Sequence, residues 1–161
     1  MIDTIANNKL IKEVLTSAKT IAMVGVSLIN REEEHNSIVK RKPSVIVMQY
    51  LQEFGYKVIP VNPFAVGEKI HGETVIDNLE DIKIPIDIVN IFRPSKETPI
   101  LANQAVKIRT KVLWLQYGIQ NEEAKKIATK ANISYVENRC IKQEYQKIFQ
   151  KMSPVFPALK L

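Results

Sequence analysis

Apolar residues in this chain fall into short runs separated by stretches of helical spacing. Leu10, Ile11, Val14 and Leu15 recur at helical intervals, which predicts a lead-in helix over Asn8 to Ala18 with Asn7 or Asn8 as its cap. Thr20–Val26, TIAMVGV, is apolar at nearly every position, the pattern of a strand buried on both faces of a sheet. Pro43 then opens a predicted helix, PSVIVMQYLQEF, and Gly55 closes it, in the usual Pro-first, Gly-after order. Further apolar runs predict strands at Tyr56–Val61, Ile86–Phe92, Lys111–Gln116 and Ile133–Val136. Helical patterns occupy Asn121–Ala131 and Lys142–Lys151. Between Pro63 and Pro85 the rhythm breaks. No helix longer than about two turns fits there, around Asp77–Ile82, with a short strand at Glu73–Ile76.

Strand alternating with helix predicts an α/β class. The expected architecture is three layers: a mostly parallel sheet of five to six strands, right-handed crossovers, and helices on both faces. With 161 residues, the whole chain is expected to form a single domain, 1–161. Residues 1–19 are its lead-in and 152–161, within SPVFPALKL, a loosely docked tail.

In open parallel sheets, ligands bind beyond the carboxyl ends of the strands, where the strand order reverses. Those ends lead into Gly25, Val26 and Ser27; Val61, Asn62 and Pro63; and Phe92, Arg93 and Pro94. The last two strands lead into Gln116, Tyr117, Gly118 and Ile119, and into Asn138, Arg139 and Cys140. Taken singly, each has a plain structural explanation: a tight turn for Gly25, loop punctuation for Pro63, Pro94 and Gly118, solvated charge for Arg93 and Arg139. Their coincidence on one edge makes them the candidate binding set. The dinucleotide fingerprint G-x-G-x-x-G is absent, since Ser27 and Leu28 follow Gly25 and Val26. An NAD site also needs Asp or Glu after the second strand to hold the ribose diol, and this chain has Asn62-Pro63. The lack of a carboxylate there is compatible with a phosphate on the adenosine ribose.

Composition narrows the setting. The chain is 45% hydrophobic and 25% charged, which places it among ordinary globular proteins. A formal net charge of +6 favours anionic partners without choosing among them. A nucleic-acid partner is disfavoured, because no basic stripe with interleaved aromatics is present. Cys140 is the only cysteine, so neither an internal disulfide nor a cysteine-based zinc site is available. No apolar run reaches the roughly 18 residues of a membrane span, and MIDTIANNKLIKEVL lacks a signal-peptide layout. The expected location is the cytoplasm, without membrane partners.

The ordered series IAMVGVS, RKPSVIVMQYLQEFGYKVIPVNP, DIVNIFRP, VLWLQYGIQNEEA and ENRCIKQEY resembles the family of small CoA-binding proteins. These correspond to the CoA-binding domain at the start of the succinyl-CoA synthetase α subunit. The resemblance runs from about Ile21 to Tyr145. It implies a Rossmann-like sheet with coenzyme A, or an acyl-CoA, across the strand ends. It further implies Gly25–Ser27 near the diphosphate and Val61–Pro63 beside the adenosine. Phe92–Pro94 and Gln116–Ile119 would flank the ribose phosphate and the pantetheine path. Two features depart from the family pattern. Leu28–Lys42 is longer than the usual loop, and Ile141 replaces the proline that commonly follows Asn-Arg-Cys, which is expected to loosen that turn.

No catalytic constellation is legible, and no metal site. His35 and His71 lie in loop-like segments without neighbouring nucleophile and carboxylate, and are expected at the surface. Neither a Walker loop nor a helix-borne metal motif occurs. Cys140 is expected to be a buried, small apolar side chain, the alternative being a mixed disulfide with the CoA thiol. The expected function is binding of CoA or acyl-CoA without turnover, as a carrier, sensor or regulatory module. The alternative is an NADP-type reductase, or a CoA-dependent transferase acting with a partner subunit. A homodimer or a protein partner remains compatible with either.

Overall fold

The five main predicted strands all form in the computed structural model, which describes residues 7–27 and 43–150. In chain order the elements are α1 (Asn8–Ser17), β1 (Thr20–Val24), α2 (Pro43–Glu53), β2 (Lys57–Val61), β3 (Lys69–Ile70) and β4 (Glu73–Thr74). There follow β5 (Ile88–Ile91), α3 (Thr98–Lys107), β6 (Val112–Leu115), α4 (Glu122–Lys130), β7 (Ser134–Val136) and α5 (Ile141–Phe149). The caps match the sequence pattern. The side chains of Asn7 and Asn121 accept from Leu10 N and Ala124 N, satisfying first-turn N–H groups that no helix can pair internally.

The main sheet has the order β2-β1-β5-β6-β7, and every neighbouring pair is parallel. Met23 lies opposite Pro60 on one side and Asn90 on the other; Asn90 in turn faces Trp114. β1, β5 and β6 are buried at every position bar Thr20, as strands covered on both faces must be. Side chains alternate between two cores. Ile21, Met23, Ile88 and Trp114 join α1, α2 and α5 on one face. Ala22, Val24, Val89, Leu113 and Tyr135 join α3 and α4 on the other. The chain is therefore an α/β Rossmann-like fold. Pro60 fits within β2 because this is the edge strand, where a missing N–H breaks no ladder. The edge is covered further on, where Ile76 N donates to Pro60 O and Asn62 N to Ile76 O.

Two elements differ from the pattern reading. The sequence analysis names no helix between the third and fourth strands, yet α3 forms there. Its first turn carries Pro99, and its apolar positions include only small Ala102 and Ala105 as fully buried contacts, so its periodicity is weak. The irregular stretch after β2 contains a hairpin the reading did not name, β3–β4, whose second strand falls within the expected Glu73–Ile76 strand, and a 3-10 turn at Leu79–Asp81. That turn lies inside the expected Asp77–Ile82 segment. The Leu28–Lys42 loop, His35 and the 152–161 tail lie outside the described residues.

At the amino ends of the strands, Asp87 ties the sheet together. Its carboxylate accepts from Lys19 N at 2.8 Å and Thr20 N at 3.1 Å, with the Lys111 ammonium at 3.3 Å. Burial by itself would raise the Asp87 pKa. The two backbone donors and Lys111 outweigh it and hold the carboxyl below the usual carboxylate range.

Candidate functional site

The strand order reverses between β1 and β5, so the crevice between their carboxyl ends is the switch point. Gly25 closes β1 there. Its amide donates to Val61 O at 2.7 Å, and Phe92 N donates to Val24 O at 2.8 Å. Gly25 has φ +98°, and a Cβ at this position would meet Phe92 O at 2.6 Å and Arg93 Cδ at 2.9 Å. Only glycine fits, for both conformation and space. The tight passage brings the β1 loop against the β5 loop.

Asn62 holds this loop from the other side. It is buried, and its Nδ2 donates to Val26 O at 3.1 Å while its Oδ1 accepts from Phe64 N at 2.9 Å. Both ends of the amide are thus engaged within the protein, and Val26 is itself fully buried. Val61 is buried and Pro63 is exposed beside it.

Arg93 projects over Gly25. Its guanidinium makes a forked pair with Glu97, Nε to Oε1 at 3.2 Å and Nη2 to Oε2 at 2.9 Å, and lies 5.9 Å from the Phe64 ring centroid. Phe64 is 71% exposed, so this ring stands out at the mouth of the crevice. Pro94 precedes the 3-10 turn Ser95–Glu97 that delivers Glu97 to the arginine.

The end of β6 is built around Gln116. It is buried, and its Oε1 accepts from Asn90 Nδ2 at 3.2 Å and from Ile141 N at 3.3 Å. Two donors on one oxygen fix the orientation of the amide. Ile119 N returns to Gln116 O, making the turn that carries Gly118. Asn138 has φ +55° and accepts from Gly118 N at 2.7 Å through its side chain. Trp114 Nε1 donates to Arg139 O at 2.8 Å, and Arg139 Nη1 pairs with Glu144 at 3.3 Å. Ile141 does not loosen its turn. It is fully buried, and the N–H that proline would lack is the one bonded to Gln116.

Between the first turns of α2 and α5 lies a cleft of about 610 Å³, lined by Pro43, Phe92, Gln116, Tyr117, Ile119, Cys140 and Gln143. That size falls within the roughly 300–1,000 Å³ of small-molecule sites. None of these seven side chains is charged, although a quarter of the chain is. Of the residues expected at the binding edge, Phe92, Gln116 and Ile119 come together in the cleft. Gly25, Val26, Ser27, Asn62, Arg93 and Pro94 form the adjoining switch point. Asn138 and Arg139 buttress the β6 turn. Cys140 corrects its expectation: it is half-buried, forms part of the cleft wall, and caps α5. Pro43 and Gln143 escaped the sequence reading because they sit on helix starts far from any strand end in sequence. The Pro-first signal marked a helix, not a wall. His71 is exposed, its Nε2 3.2 Å from Val45 O. Among the described residues no group of three metal-ligating side chains occurs, and no helix is long and apolar enough to cross a membrane.

Comparison with known proteins agrees with this fold. The chain is 36% identical over 132 residues to the uncharacterized protein YneT of Bacillus subtilis (strain 168), covering 82% of this chain and 89% of that one. A hypothetical protein from Pyrococcus horikoshii OT3 matches with a TM-score of 0.76 and 36% identity, over 89% of this chain and 93% of the other. The cell-free ID.343 protein of Thermus thermophilus matches with a TM-score of 0.77 and 33% identity, over 89% and 100%. The model of the CoA binding domain matches residues 19–146, a span that takes in β1, the crevice and most of α5. On that match, the chain belongs to the CoA binding domain family.

Proposed function

We propose that this protein binds coenzyme A, with the diphosphate at the switch point and the pantetheine arm in the neighbouring cleft. It acts as a cytoplasmic carrier, sensor or regulatory module without turnover. The observation that carries the reading is the partition of charge along the edge. At Gly25 and Arg93 the crevice offers a glycine turn and a guanidinium. One residue away, Phe92 opens a cleft whose described lining residues are all uncharged. Coenzyme A has the same asymmetry, phosphates at one end and a neutral arm ending in a thiol at the other. A reversed placement would bury phosphates against uncharged walls, at a cost of several kcal/mol or more. Asn62 supports the same choice. Its amide is consumed inside the protein, so β2 ends without a carboxylate for a ribose diol.

Melting curves with CoA, dephospho-CoA, NAD and NADP test this. A ligand at about 100 times its dissociation constant adds about 2.7 kcal/mol, a rise of roughly 5–10 °C for a chain of this size. CoA is expected to produce it, dephospho-CoA less, and NAD none. A rise with NADP and none with CoA would overturn the reading and favour a reductase.

A further inference from the structure

We propose that Cys140 is a covalent attachment point for a thiol ligand, exchanging with the disulfide of oxidised coenzyme A so that the arm stays tethered in the cleft between α2 and α5. This rests on the placement of the pantetheine arm in that cleft, and it adds a redox-dependent form of binding to the reversible one.

The segment that carries Cys140 is fixed from both sides. Arg139 N donates to Leu115 O at 3.4 Å, and Trp114 Nε1 donates to Arg139 O at 2.8 Å. On the other side Ile141 N donates to Gln116 Oε1 at 3.3 Å, and Glu144 N returns to Cys140 O at 2.9 Å. The sulfur shares none of these ties. It makes no side-chain bond at the start of α5, and it stands half-buried on the cleft wall. A thiol spent on packing would be closed off in the core, whereas this one is held at a set position facing open volume.

A second group on the same wall points to what enters. Gln116 is only 6% exposed, and its Nε2 has no hydrogen-bond partner among the described residues. Its orientation is forced. Asn90 Nδ2 donates to Trp114 O, which can only accept, so the same amide presents a donor to Gln116 as well. Gln116 must answer with Oε1, and its own N–H groups are left over on the cleft wall. They suit a carbonyl oxygen. The end of the pantetheine arm carries an amide carbonyl and, a few bonds beyond it, the sulfur. Gln116 and Cys140 match those two groups in kind.

The step balances as thiol–disulfide exchange. The Cys140 thiolate attacks one sulfur of CoA disulfide, and the new Sγ–S bond forms as the S–S bond of the reagent breaks. The departing CoA leaves as a thiolate and takes up the proton that Cys140 gave. Cys140 is oxidised and the departing half reduced, so no further oxidant is needed. Cys140 is the only cysteine of the chain, so no second thiol of the same chain can displace the arm. Release needs an external thiol.

The test follows adduct formation on the full chain by intact mass spectrometry, with CoA disulfide and glutathione disulfide at equal concentration. Salt at 0.15 M limits the long-range pull of the net charge of +6 on the more anionic reagent. CoA disulfide is expected to react at least about tenfold faster, because prior binding makes the exchange effectively intramolecular. An excess of adenosine 3′-phosphate 5′-diphosphate, the nucleotide half without its arm, is expected to bring that rate down to the glutathione disulfide rate by occupying the switch point. Equal rates for the two disulfides, or a fast rate that the nucleotide leaves unchanged, would overturn the attachment. Calorimetry with reduced CoA then separates the two readings. Binding of reduced CoA without the fast adduct leaves the CoA reading standing and removes Cys140 as an attachment point, and absence of both overturns both.

Discussion

Replacing Asn62 separates a structural latch from a ligand contact. Its Nδ2 is the partner of Val26 O, and Val26 is fully buried, so water does not reach that carbonyl when the amide is removed. Leaving one buried polar group unpaired costs about 1–3 kcal/mol. The other bond, from Phe64 N, matters less, because Phe64 stands 71% exposed and its amide can turn to solvent. Asn62→Ala is therefore expected to cost about 1–3 kcal/mol, a fall of roughly 3–10 °C in Tm for a chain of this length. Asn62→Asp is nearly isosteric and keeps the acceptor for Phe64 N. It sets an oxygen against Val26 O where a donor stood, and it buries a carboxylate. At pH 8 it is expected to be less stable than Asn62→Ala. Burial and the facing carbonyl raise the folded-state pKa of such a carboxyl above its unfolded value near 3.9. The deficit is thus full at high pH and shrinks as pH falls through the folded pKa, because the protonated carboxyl can donate to Val26 O. Thermal unfolding followed by circular dichroism at pH 8 and pH 5 reads both variants. If Asn62→Asp melts with the native protein at pH 8, Asn62 is no latch, and the account of the β1 loop is wrong.

Gly25→Ala is expected to lower Tm by several degrees, since a non-glycine residue at φ +98° carries on the order of 1–3 kcal/mol of strain before its clash with Phe92 O is counted; an unchanged melt would refute the close passage. Arg93→Ala removes an i,i+4 pair whose side chains are 30% and 38% exposed, so stability should change by less than about 1 kcal/mol. The same variant should weaken CoA by about tenfold, the scale of one charge-assisted bond to phosphate, and unchanged affinity by calorimetry would remove Arg93 from the site. Asp87 has a folded pKa below its unfolded value, so its contribution is fully present above about pH 4 and is lost as pH falls through the folded pKa. Asp87→Asn should be less stable than the native chain at pH 7, and the gap should narrow as acid carries the pH down through the folded pKa; a gap that does not narrow would show the carboxylate's charge to be irrelevant.

Local pattern determined much of this protein. Apolar runs buried on both faces pointed to central parallel strands, and the cap at Asn7, the helical pattern from Asn121, and Pro43 with Gly55 placed helices to within a residue or two. The strand ends were legible for the same reason, so the candidate edge could be drawn from Gly25 to Arg139 before any contact was known. α3 was not, because a helix that packs through alanines against α4 carries little hydrophobic contrast of its own. Only the tertiary structure decided which residues on that edge are spent on the fold and which are left for a ligand. Asn62, Gln116 and Asn138 have the chemistry of ligand contacts, yet their oxygens accept from Phe64, Asn90, Ile141 and Gly118. Periodicity along a chain reports which face a residue lies on. The partner of a polar group is set by where the turns bring other segments, and that is a property of the folded molecule.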